Sequence, residues 1–214
     1  MTDSNNGVSG IPGAVHRPMH HDTNVTTSLP ESILEVADAI SLASDSFDVW
    51  WDLQDACNRG GYESVLEEYQ HFFQAAIMAH LVTLIVCSYT LYDKSKGTHT
   101  IRSLLDRLQR ETSSTAVTSE LQQKIDELQD IWLKIKLVRH NVFAHRSETY
   151  QAESAFQAAN LTPDEIRGFI LQSRQIVATI ADEAGMPSIF EEEISPTPHT
   201  QAMMQTLRDR WRNS

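Results

Sequence analysis

An all-α fold is predicted by three features of the chain. Its 214 residues include only 8 Gly and 7 Pro, many of them near the ends, so long stretches run without a helix breaker. Apolar residues in those stretches recur at intervals of three and four, as on one face of a helix. No strand-like alternation and no repeat of about 20 to 50 residues interrupts the pattern. Contents of 41% hydrophobic and 21% charged residues are those of a globular chain. Long amphipathic helices of this kind pack naturally as an antiparallel bundle, here of four to five main helices.

Residues 1–29 are rich in Gly, Asn, Ser, Thr and His, lack an apolar period and read as a disordered tail. His16, His20 and His21 lie in it without the Cys or carboxylate framework of a metal site. The helical domain is expected over 30–190. "PESILEVADAISLA" sets Pro30 in a first turn, followed by Glu31. "DSFDVWWDLQDACN" reads as a second helix, capped by Asp45 or Ser46 and ending before Gly60 and Gly61, with Trp50 and Trp51 against the body. A long apolar helix is expected from Glu63 to Asp93, and Thr100 caps "IRSLLDRLQR". Thr118 or Ser119 then caps "ELQQKIDELQDIWLKIKLVRHNVFAH". The next helix, "PDEIRGFILQSRQIVATIADEA", has Thr162 as cap, Pro163 in its first position and Gly185 as its stop. Residues 191–214 form an acidic linker and a short C-terminal helix, through which Met203, Met204 and Trp211 either dock a partner or pack on the domain itself.

The formal net charge of −12 argues against broad nonspecific binding to nucleic acid. The charge is uneven. Between Glu31 and His71 ten acids face one base, Arg59, for a net −9, whereas Leu133 to Ser147 carries Lys134, Lys136, Arg139 and Arg146 and no acid. A local basic site on an acidic body is the expectation. Cys57 and Cys87 make neither a metal spacing nor a disulfide framework, which fits a cytoplasmic location; Cys87 reads as a core residue. No apolar segment of a secretory signal opens the sequence. "FFQAAIMAHLVTLIVCSYTLY" (Phe72 to Tyr92) has the length of a membrane span. Its Gln74, His80, Thr83, Ser88 and Thr90 suit the central helix of a soluble bundle better, so no membrane partner is expected. His80 reads as a core residue and His99 as a loop residue.

The basic stretch is "LVRHNVFAHRS", residues 137–147. At about 100° per residue, Ile131, Ile135, Val138 and Val142 share one stripe, and His145 continues it. Arg139 lies at its other side, near Leu128 and Trp132, with Arg146 close to the same direction; Asn141 projects beside His145. Burying an unpaired Arg or His is costly. Three accounts answer that cost: a polar collar at a helix C-terminus, a cleft that receives an anion, or a partner-binding face without chemistry.

Arg139, five intervening residues and His145 resemble the Arg-x(4–6)-His signature of the HEPN superfamily, the higher eukaryotes and prokaryotes nucleotide-binding domains. "RHNVFAHR" is similar to the form found in its abortive-infection, phage-defence branch, and "LYDKSKGTHTIRSLL" (Leu91 to Leu105) resembles the helix-to-helix link of that branch. The resemblance covers about residues 45–185. One position departs: in the toxins paired with small nucleotidyltransferases a Tyr follows the His by two, and this chain has Ser147 there, with Tyr150 nearest.

The resemblance implies a metal-independent endoribonuclease acting as a toxin or defence effector, with RNA as substrate, no cofactor and a homodimer that brings two motifs to one cleft. An antitoxin or other partner protein is a further implied partner. It implies His145 as general acid and base and Arg139 as phosphate clamp. Asn141, His140, Arg146 and Lys136 would support RNA binding, and Lys134 would add backbone contacts. An imidazole that titrates near neutrality suits the proton transfers, and a planar permanent cation suits a phosphorane. The alternative is a non-catalytic HEPN module that binds nucleotide, RNA or a partner protein.

Overall fold

A computed structural model describes residues 27–58, 60–95, 98–111, 115–141, 152–186, 188–190 and 195–212. Among them are nine helices and no strand: α1 (Leu29–Asn58), α2 (Glu63–Glu68), α3 (Gln70–Thr90), α4 (Ile101–Glu111), α5 (Thr115–Glu127), α6 (Gln129–Arg139), α7 (Ala152–Ala159), α8 (Pro163–Glu183) and α9 (Thr197–Arg212). The fold is all-α, as the periodicity predicts.

Ser28 opens α1. Its Oγ accepts from Glu31 N at 3.3 Å while the Glu31 carboxylate accepts from Ser28 N at 2.8 Å, a reciprocal cap. The two helices expected on either side of Ser44 are one. Ile33, Val36, Ala37, Ile40, Ala43, Phe47, Trp50 and Leu53 form an unbroken buried stripe, and Ser46 is buried within it. Burial of that stripe carries the helix across the polar triplet Ser44-Asp45-Ser46, so neither Asp45 nor Ser46 is a cap. Trp50 is buried as expected; Trp51 is exposed and stacks on Phe47 at 6.3 Å.

The apolar segment expected from Glu63 to Asp93 is divided at Tyr69 (φ −109°, ψ 29°) into α2 and α3, and α3 ends at Thr90. Thr100 caps α4: its Oγ1 accepts from Ser103 N at 3.2 Å, and Ser103 Oγ accepts from Thr100 N at 2.8 Å. The following helix starts at Thr115, before the expected caps, with Thr118 buried inside α5; a turn at Leu128 (φ −82°, ψ −7°) separates α5 from α6. α7 has no counterpart in the sequence reading, and its Phe156 stacks on Trp50 at 6.3 Å.

α8 follows its sequence signals throughout. Thr162 Oγ1 accepts from Glu165 N, Glu165 Oε2 accepts from Thr162 N at 2.8 Å, and Pro163 begins the helix. At the other end Gly185 (φ 73°) donates to Asp182 O at 3.0 Å and Met186 donates to Ala181 O at 2.9 Å, a Schellman closure that needs the left-handed glycine. Lys134 Nζ donates to Glu165 Oε1 at 2.5 Å. This bond, aided by the Thr162 backbone, holds the Glu165 carboxyl below its ordinary value of 4.5. A depressed folded value means that the stabilisation is present above about pH 4.5 and fades as pH falls through the folded value. Thr162→Ala should therefore lose about 1 kcal/mol at neutral pH. Denaturant midpoints of Glu165→Gln should lie below wild type at pH 7 and converge with it in acid; parallel curves would refute the assignment.

Helix α1 is the spine. Val49 and Leu53, late in α1, line a groove with Phe72 and Ala76, early in α3, so the two run antiparallel. Arg167 of α8 reaches Asp48 at 3.9 Å and lies over the Phe47 ring, fastening α8 to the second half of α1. The main core joins α1 to α3, α4, α5, α6 and α8, with Phe169, Leu104, Leu105, Ile125, Ile135 and Ile180 fully buried. A smaller core of Leu53, Ala56, Val65, Phe73 and Met204 closes the far end of α1 under α9. The C-terminal helix thus packs on its own domain through Met204, leaving Met203 and Trp211 exposed.

By length and composition α3 could cross a membrane. Here it buries Phe73, Leu81, Leu84, Ile85 and Ser88 against the bundle. Its outer face, with Phe72, Ala75, Met78, Ala79 and Val86, is exposed.

Candidate functional site

The C-terminal half of α6 positions Arg139. Trp132, Ile135 and Val138 are buried and Ile131 is half-buried, so the expected stripe faces the core. Arg139 lies beside the stripe and is exposed. Its guanidinium carbon stands 4.2 Å from the centroid of the Tyr89 ring, in the last turn of α3. No ion pair among the described residues involves Arg139. The burial cost raised by the sequence is thus avoided by exposure, and the charge is met by a π face. His140 and Asn141 continue from α6 in a wider, π-type turn, a local irregularity often found at functional sites.

The Tyr89 ring is itself fixed. It stacks on Trp132 with centroids 5.7 Å apart and planes 19° apart. Trp132 Nε1 donates to Tyr89 O at 3.0 Å, and the Tyr89 hydroxyl donates to Asp93 Oδ1 at 3.1 Å. Ser95 Oγ donates to the other oxygen, Asp93 Oδ2, at 2.8 Å. Burial, then the bond to Asp93 and its charge, push the Tyr89 phenol up, and the positive charge of Arg139 opposes them. Lys136 Nζ lies 5.4 Å from the Trp132 ring. Two cations and two aromatic rings therefore form one run along the junction of α3 and α6.

Of the residues expected in the site, Arg139, His140 and Lys136 are exposed and Asn141 is half-buried. His145 and Arg146 lie outside the described residues, as do His16, His20 and His21. Lys134 is half-buried, and its ammonium pairs with Glu165 on α8. Tyr89 and Trp132 were not marked by the motif. The signal available was the seven-residue spacing of Trp132 and Arg139, two turns that put both on one side of α6.

Other reactive groups lie elsewhere. His80 lines a groove of about 300 Å³ with Leu53, Phe72, His199 and Met203, at the opposite end of α3 from Tyr89. His99 Nε2 sits 3.5 Å from Glu35 Oε2. Cys87 is half-buried against the core and Cys57 exposed, both free; burial raises each thiol. Among the described residues no three His, Cys, Asp or Glu side chains group as a metal site would require.

An all-α bundle that presents an exposed arginine at the head of an Arg-x(5)-His motif defines a HEPN-type module. The family model HEPN_AbiU2, described as AbiU2, matches residues 33–186, and the chain belongs to this abortive-infection family. No curated protein and no solved structure matches it.

Proposed function

We propose that this protein is a metal-independent HEPN endoribonuclease acting as a phage-defence effector or toxin. The observation that carries this reading is Arg139: a permanent cation at the end of α6, exposed and held on an aromatic ring without a carboxylate partner among the described residues. In the proposed reaction the ribose 2′-OH loses a proton as its oxygen attacks the adjacent phosphorus. The P–O5′ bond breaks, the 5′-oxygen gains a proton, and a 2′,3′-cyclic phosphate remains. His145 is the general acid and base, and Arg139 binds the phosphate and stabilises the dianionic phosphorane. Asn141, His140, Lys136 and Arg146 support the RNA.

One imidazole does not serve both proton transfers at once. A symmetric homodimer supplies two copies of His145, and the exposed apolar face of α3 supports such an assembly. The reading places the enzyme in the cytoplasm, free of membrane, with an antitoxin or other partner protein as its counterpart. RNA cleavage by purified protein in excess chelator tests it. Wild type should leave cyclic-phosphate ends, and His145→Ala should lose about 10²- to 10⁴-fold in rate. If the folded wild type cleaves nothing, the non-catalytic reading, which the net charge of −12 favours, replaces this one.

A further inference from the structure

We infer that Tyr89 is a positioning residue for Arg139, holding the guanidinium in place before an anion arrives. The inference rests on the proposed role of Arg139 and adds to it a residue outside the motif. It starts from a conflict. An arginine that must receive a phosphate has to be oriented, yet the common way to orient one is a carboxylate, which cancels the charge and occupies its donors. An aromatic face resolves the conflict. It attracts the cation through the ring quadrupole and takes up none of its five N–H groups.

The surroundings of Tyr89 fit this role. The ring is clamped from both ends: Trp132 stacks against it and bonds its backbone carbonyl, while Asp93 accepts from its hydroxyl. A phenol that donates to a carboxylate gains electron density in the ring, which deepens the negative face presented to Arg139. Asp93 thus strengthens the hold on the guanidinium through the ring. The clamp also spans elements: Tyr89 lies in the last turn of α3 and Asp93 just beyond it, while Trp132 and Arg139 belong to α6, so the position of the cation is tied to the packing of the two helices.

The test compares Tyr89→Phe, which keeps the ring, with Tyr89→Leu, which keeps apolar bulk only; Tyr89→Met replaces the latter should it melt below assay temperature. Two readouts are used. In NMR spectra the Arg139 side-chain protons should show upfield ring-current shifts in wild type and Tyr89→Phe, lost in Tyr89→Leu. In chelator-resistant RNA cleavage, Tyr89→Leu should lose about tenfold in kcat with KM changed less than about threefold, and Tyr89→Phe should stay within about threefold of wild type. Equal loss in both variants, or no ring-current shift in wild type, overturns the inference. Should wild type cleave no RNA, the ribonuclease reading fails by itself, and binding of a 2′-O-methyl RNA decides the matter. Tyr89→Leu should then weaken binding as much as Arg139→Ala does, with Tyr89→Phe within about threefold of wild type; equal binding by Tyr89→Leu and wild type overturns it.

Discussion

Arg139→Ala is expected to reduce RNA cleavage by about 10²- to 10³-fold while leaving the fold in place. The two halves of that expectation have separate causes. In the proposed reaction the guanidinium meets developing negative charge on the phosphorane, and removal of one preorganised donor of this kind has costs of that order. The side chain is exposed and is held over the Tyr89 ring, so folding loses about 0.5–1 kcal/mol, the value of an exposed cation–π contact. Arg139→Lys separates charge from shape. Lysine keeps the cation but not the planar fork that reaches two phosphate oxygens together, and it stacks less well on a ring. Its activity should fall nearer to that of Ala than to wild type. Single-turnover cleavage rates and a thermal melt check both halves. A variant that unfolds, or a lysine variant with full activity, would remove Arg139 from the proposed role.

Phe169→Ala is expected to cost about 3–5 kcal/mol of stability. Phe169 has 0% exposure, and its ring lies 5.1 Å from that of Tyr92, itself 1% exposed. The Tyr92 hydroxyl shares a hydrogen bond of 3.2 Å with Ser173 Oγ, one turn further along α8. Burial pushes the Tyr92 phenol far above its ordinary value, opposed by the hydrogen bond to Ser173 and the charge of Arg102, so it remains a neutral partner across the usable pH range. Truncation removes ring contacts and leaves a cavity beside that hydrogen bond, in an interior packed closely enough to limit collapse. Against a total stability of about 5–15 kcal/mol this is a large share. Urea unfolding with an unchanged slope and a lowered midpoint would support the reading; a loss under about 1 kcal/mol would show that the core relaxes around the gap.

The sequence was most readable where local chemistry decides the outcome. The ends of α8 depend on Thr162, Pro163 and Gly185 acting on backbone within a few residues, and all three act as the pattern predicts. It was least readable where distant burial overrides a local signal. Ser44-Asp45-Ser46 looks like a helix boundary, and only the packed stripe on either side makes α1 continuous. α7 has too short an apolar pattern to be seen in isolation, since its Phe156 finds its purpose only on Trp50. The site divides in the same way. Arg139 was visible from its spacing to His145, whereas the ring beneath it lies about fifty residues earlier on another helix. A cation–π contact leaves no spacing to read.

The long first helix has a consequence for synthesis. α1 leaves the ribosome ahead of every helix that covers it, with Ile33, Ile40, Phe47 and Trp50 open until α3, α4 and α8 follow. Lys134 on α6 has to wait for Glu165 on α8. A nascent chain that has just gained Arg139 already holds Tyr89 and Trp132 but lacks α8, against which α6 packs. Contacts between elements so far apart in sequence also slow folding. For a protein proposed to cut RNA, this order of assembly delays a competent site until most of the chain has emerged, which distances its activity from the message that encodes it.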